Sequence, residues 1–270
     1  MKKILLSIAT VIFAFCAVSC NNDDGDPYEL VLGSLEATGI TTSVTDWYGT
    51  KLTAESGYTQ FPTLEDYQRQ LIMLGFTYPD GMERVRGTGK TMAVRPSLYA
   101  VSPTKQPVEL GFSTYDDPVI MLAGEESNGL FTVCNFIYFQ PYAELFKGNK
   151  TGENTYAMWD FDVEISREIS ADNTIDMYLK FFANQKDDEE RAAYGNLGTY
   201  FYYAVDMSDA SFLIDGLDET QTYTVKLHYD SYTVNEVASD YINYDKNTVV
   251  EKTVSVKWTP NKPYIDQSVF

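Results

Sequence analysis

Basic residues are scarce in this chain. Against 39 Asp and Glu it carries only 20 Lys and Arg in 270 residues. It therefore lacks the positive footprint that a nucleic-acid binder needs, and electrostatic docking on anionic lipid headgroups is excluded with it. Histidine is rarer still, since His228 is the only one. One imidazole cannot build a multi-histidine metal centre, and a hydroxyl or thiol nucleophile with a histidine base would need partners that the sequence does not identify. His228 lies in the alternating run "TYTVKLHYD", where it reads as an ordinary strand residue on the polar face. Long apolar runs are also missing after the first twenty residues. The single run, residues 4–19, falls short of the roughly 18 apolar residues of a membrane span.

That run has another meaning. Met1-Lys2-Lys3 followed by "ILLSIATVIFAF" and the small residues Ala17 and Ser19 is the pattern of an export signal, here residues 1–19. The residues "AVSC", Ala17 to Cys20, resemble the bacterial lipobox. Cleavage before Cys20 would make that cysteine the mature N-terminus and its lipid attachment point. Several acyl chains on one residue suffice for stable anchoring without a membrane span. Removing the leader leaves 18 basic against 39 acidic residues, a formal charge of −21. It also removes Cys16, so with Cys20 lipidated only Cys134 remains and no intrachain disulfide can form. Cys134 sits in the apolar run "LFTVCNFIYF", where a buried inert thiol is expected.

"NNDDGD" follows Cys20 and has no apolar side chain, so residues 20–27 are expected to form a solvated tether. The run also resembles the acidic signal behind the lipid cysteine of surface-exposed Bacteroidetes lipoproteins. No bidentate glutamate follows at calcium-loop spacing, and no metal or cofactor is expected.

The stretch "RGTGKTMAV", Arg86 to Val94, contains the Gly-Lys-Thr that closes a phosphate-binding loop. The pattern needs glycine seven residues before its final threonine, but for Thr91 that position is Arg84. It also needs a helix immediately afterwards, and "TMAVRPSLYAV" is strand-like with Pro96 inside. A tight turn between strands is expected, with Lys90 in solvent and no nucleotide bound.

The dominant period along the chain is two. "MWDFDVEI", "IDMYLKF", "YTVKLHY" and "TVSVKW" each alternate apolar and polar residues, which marks half-buried strands of an antiparallel sandwich or barrel. Two short helices are expected as exceptions. One is "TLEDYQRQLIMLG", with Thr63 as N-cap and Gly75 as stop; the other is "KDDEERAAYG", closed by Gly195. Asp160 and Asp162 share a strand face, while Asp116-Asp117 and Glu125-Glu126 sit in turn-like surroundings, so no catalytic residue is nominated. Twenty-one tyrosines, densest in "TYFYYAVD", suit either sheet packing or a binding surface.

The chain divides near residues 112 to 117. Residues 28–112 carry the short strands of a small OB-like Greek-key barrel, and 113–262 the longer strands of an Ig-like antiparallel sandwich, before a tail at 263–270. In "FLIDGLDETQTYTVKLHYD", Leu217 turns the corner and Tyr223 takes the place of the tyrosine-corner residue before strand F of such sandwiches. Lipobox, acidic tether, barrel and sandwich together resemble the NigD-like lipoproteins of the Bacteroidetes, most closely in "YDDPVIML", "NTIDMYLKFFANQKDDEE" and "TYFYYAVDMSD". The resemblance implies an OB-like N-terminal domain and an Ig-like C-terminal one, and supplies no site residues.

These readings lead to a non-catalytic protein, lipid-anchored in the envelope through Cys20 and exposed at the surface of the outer membrane, that holds a β module for a protein or glycan ligand. The competing readings are a fimbrial subunit and an extracellular enzyme. The first is disfavoured because no basic residue, hence no protease-sensitive arginine, lies between Cys20 and Lys51. The second would need a pocket with converging polar groups.

Overall fold

The computed structural model describes residues 28–260 except 39–40, 65–68, 83, 110, 112, 124–128, 147–160, 171–172, 184–195, 209–217, 219 and 238–241. Cys20, Leu217 and the helix expected at "KDDEERAAYG" lie outside the described residues.

The protein is all-β, an OB-like barrel followed by a sandwich. Five strands, β1 (Tyr28–Thr38), β2 (Thr41–Asp46), β3 (Lys51–Ala54), β4 (Gln70–Thr77) and β5 (Thr91–Ser102), close in the order β1-β2-β3-β5-β4. Closure comes from β1, which pairs with β2 through one run of residues and with β4 through another. Gly33 lies in both ladders. A Cβ there would stand 2.5 Å from Val44 Cγ1 and 2.8 Å from the Thr45 carbonyl oxygen, so the barrel can only close tightly on a residue without a side chain. Val31, Leu35, Val44, Leu52, Leu74 and Val94 fill the interior.

Where "TLEDYQRQLIMLG" suggests a helix, the chain instead runs as β4 from Gln70. Leu71 and Leu74 fall at helical spacing because β4 is buried on both faces. Ile72, Leu74 and Phe76 enter the barrel core, and Leu71 points the other way into a separate cluster. Gly75 is no helix stop either, since the Tyr28 side chain crosses directly over it.

The sandwich follows. Its four-stranded sheet has the order β6 (Thr104–Lys105), β15 (Tyr203–Asp206), β10 (Phe136–Phe139), β9 (Leu130–Val133). The five-stranded sheet runs β17 (Ile242–Trp258), β16 (Tyr223–Val237), β13 (Thr174–Ala183), β12 (Phe161–Ser170), β7 (Val108–Glu109). Ile137, Phe139 and Val205 of the first sheet pack with Ile165, Leu179 and Leu227 of the second in one core. A three-stranded sheet, β14 (Asn196–Tyr200), β11 (Pro141–Phe146), β8 (Met121–Leu122), lies alongside. β6 and β7 fall before residue 112, yet each pairs in parallel with a sandwich strand, β6 with β15 and β7 with β12.

Cys134 is not within a strand. With Asn135 it forms the two-residue turn of the β9–β10 hairpin, at φ of 52° and 63°, the left-handed pair that a type I′ turn requires. The thiol is buried all the same, because the hairpin tip is pressed against the barrel. Its Sγ lies 3.8 Å from the Thr45 carbonyl oxygen, and burial pushes the thiol pKa up to about 12.

Candidate functional site

Alternation on the five-stranded sheet puts one set of side chains into the core and leaves the other outside. On the outer face, Asp162, Glu164 and Ser166 of β12 stand opposite Phe182, Lys180 and Tyr178 of β13, and Tyr178 in turn stands opposite His228 of β16. The segment around β6 and β7, continuing through Ser113 to Asp116, runs beside this face. Between segment and sheet lies a groove of about 690 Å³, whose lining includes Lys105, Gln106, Ser113, Tyr115, Glu164 and Tyr178.

The two ammonium groups of the groove are each paired with a carboxylate. Lys105 Nζ is 2.5 Å from Asp162 Oδ1, and Lys180 Nζ is 2.8 Å from Asp230 Oδ2. Ser113 donates to Glu164, and Tyr115 donates to Asp162 at 3.4 Å. Desolvation and the negative charges of Asp162 and Glu164 raise the Tyr115 pKa, while desolvation and the Glu168 acceptor raise that of Tyr178. Both phenols therefore remain neutral donors in the physiological range. Each ring is backed by another: Tyr178 stacks on His228 at 4.9 Å and 20°, and Tyr115 lies against Phe182 at 5.5 Å and 34°.

Behind Tyr178 sits a cluster that the sequence alone does not reveal. His228 Nε2 is 2.7 Å from Asp176 Oδ1, and its Nδ1 is 3.0 Å from Thr253 Oγ1. Hydroxyl, imidazole and carboxylate in a row resemble a nucleophile with its base and orienting acid. Thr253, however, is exposed on an open sheet surface without the water exclusion that such chemistry uses. The arrangement fixes the imidazole, and with it the ring that backs Tyr178.

Among the residues singled out from sequence, Tyr223 is 4% exposed with its ring 5.9 Å from Trp258. Its hydroxyl accepts from the Asp218 N–H at 3.0 Å and donates to the Asp218 carbonyl at 3.3 Å. The Gly-Lys-Thr stretch is a turn closed by the Lys90 N–H donating to the Gly87 carbonyl at 3.1 Å. Gly87 and Gly89 have φ of 117° and 77°, and strand β5 follows where a phosphate loop requires a helix. Arg84 and Arg86 converge on Glu29, with the Arg86 guanidinium 4.1 Å above the Tyr48 ring.

Sequence reasoning also missed Arg69. Its guanidinium reaches Glu36 at 3.1 Å, Asp206 at 3.0 Å and the Cys134 carbonyl at 3.1 Å, and lies 5.0 Å above Phe136. One planar fork thus joins the barrel to the sandwich. Leu71, Cys134, Phe136, Tyr138 and Ala204 form an apolar cluster beside it. Among the described residues no group of three or more His, Cys, Asp or Glu is placed to hold a metal ion.

No protein-family model matches the chain, and no curated protein matches its sequence. Solved structures similar to it in fold include two bacterial proteins. A candidate lipoprotein from Bacteroides fragilis NCTC 9343 gives a TM-score of 0.54 at 15% identity, over 86% of this chain and 99% of that one. A candidate toxin-related protein from Parabacteroides distasonis ATCC 8503 gives 0.50 at 11% identity, over 87% and 95%. At these identities the likeness is one of fold, and both proteins come from Bacteroidetes.

Proposed function

We propose that this chain is a non-catalytic envelope protein, anchored through a lipid on Cys20 at the outer membrane and exposed at the surface, with the outer-face groove as its binding site for a protein or glycan. The observation that carries the binding reading is that the charged side chains Lys105, Lys180 and Glu164 of the groove are tied to neighbours. The two lysines are held in ion pairs and Glu164 by the Ser113 hydroxyl, and side chains fixed in this way serve recognition better than proton transfer. The anchor reading rests on "AVSC" behind the apolar leader. The fold likeness to a candidate lipoprotein of Bacteroides fragilis supports it, and the NigD-like resemblance of the sequence is part of the same proposal. Metabolic labelling with a radioactive or clickable fatty acid tests the anchor. Wild type is expected to take up label and Cys20→Ala to take up none while still folding; label retained by Cys20→Ala would refute the attachment site.

A further inference from the structure

We propose that the ligand of the groove is a neutral oligosaccharide, an inference that rests on the binding reading above and names its chemistry. Three features decide the class. First, the floor is the outer face of β12 and β13, with β12 paired along its length to β13 and, at Ser166 and Arg167 alone, to β7. A ligand lying on that outer face meets side chains rather than ladder backbone, and a strand-adding peptide, which would use the β12 edge that β7 leaves uncovered, is the competitor that the peptide probe below tests.

Second, those side chains suit hydroxyls more than charges. The Lys105–Asp162 or Lys180–Asp230 pair would have to be broken for a lysine of the groove to meet an anionic ligand. A hydroxyl can instead accept from the Lys105 or Lys180 ammonium and donate to the Glu164 carboxylate, all three in the lining, without breaking either pair, because each group keeps unused hydrogen-bonding capacity. Adjacent hydroxyls on a sugar ring present that alternation of donor and acceptor. Anions are further disfavoured by Glu164 and Asp116 in the lining and by the chain's charge of −19 with its leader included.

Third, Tyr115 and Tyr178 line the groove with rings held from behind by Phe182 and His228. Fixed aromatic surface of this kind accepts the C–H face of a sugar at little entropic cost. The groove volume of about 690 Å³ holds a short oligosaccharide rather than a single small solute.

The test is calorimetric titration of the full chain in detergent. The probes are a panel of neutral gluco-, manno-, galacto- and xylo-oligosaccharides, a matched panel of uronate and sulfated oligosaccharides, and a basic peptide. The expected result is binding of a neutral probe whose affinity is unchanged when salt is raised from about 0.05 to 0.5 M. Tyr178→Ala should lose about tenfold or more in affinity. Ser113→Ala, a milder change at the groove wall that leaves the sheet intact, should weaken binding in the same direction at unchanged melting temperature. Binding confined to the acidic panel, neutral binding that survives both substitutions, or no binding by any neutral probe would overturn the inference. A peptide or protein that binds in the groove when no sugar does would overturn it too, and would leave the broader binding reading standing. A groove that binds none of the three would remove both.

Discussion

The Tyr223 hydroxyl is held between the N–H and the carbonyl of one residue, Asp218. Tyr223→Phe keeps the ring in the core and removes both bonds, so the expected cost is about 1–3 kcal/mol in urea unfolding. A variant as stable as wild type would show that the corner does not support the sandwich. Asp46 shows the opposite effect of burial. Its carboxylate accepts from the Tyr48 and Thr50 N–H groups, yet desolvation outweighs those bonds and raises its pKa from 3.8 to about 6. A raised acid favours the folded state fully below its unfolded pKa, and that advantage is lost as pH rises through about 6. Relative to Asp46→Asn, wild type should therefore lose on the order of 2 kcal/mol between pH 4 and pH 7. A constant difference between the two across that range would contradict the shift. At this scale the sequence is informative where neighbours suffice. The inward row Tyr223, Val225, Leu227, Tyr229 reads directly from alternation. The partners of His228 and Arg69 do not, because Asp176 and Asp206 lie 52 and 137 residues away in the chain.

Elements follow the same logic with one instructive reversal. The strands of the sandwich are legible because one face is wet and the other dry, which imposes period two. β4 is dry on both faces, so its apolar residues lose that period, and Leu71, Leu74 and an acidic start imitate a helix. The information that reverses the reading is the second buried face, which exists only because the sandwich packs there. The same contact accounts for the β9–β10 hairpin. Apolar residues on both sides of Cys134 resemble an unbroken strand, while the turn at Cys134 and Asn135 is fixed by the pairing of Val133 with Phe136. Asn135 holds φ of 63°, and its buried side-chain oxygen has no hydrogen-bond partner among the described residues. Asn135→Gly should relax that conformation and remove the unpaired group, stabilising the protein by about 0.5 kcal/mol by thermal melting. A destabilised variant would mean that the asparagine side chain holds the hairpin tip in place.

At the scale of the whole molecule, the two halves do not behave as beads on a string. Arg69 bonds to barrel and sandwich at once, and the cluster around Leu71 and Phe136 spans the same junction. A single cooperative transition is expected for wild type by calorimetry. Arg69→Ala should cost about 1–3 kcal/mol and split that transition in two, since Asp206 then loses its cation. Two resolved transitions already in wild type would show that the junction carries no coupling. The proposed function depends at this scale on the groove being the part of the protein that meets a partner. The most direct measurement places a photo-crosslinking amino acid at Gln106, in the groove, and in a second strain at Lys90, on the exposed barrel turn. Both strains, each making the full-length chain, are then irradiated as living cells. One dominant adduct at Gln106, absent at Lys90, is the predicted result; equal or absent crosslinking at the two positions would contradict the assignment of the groove as the binding face.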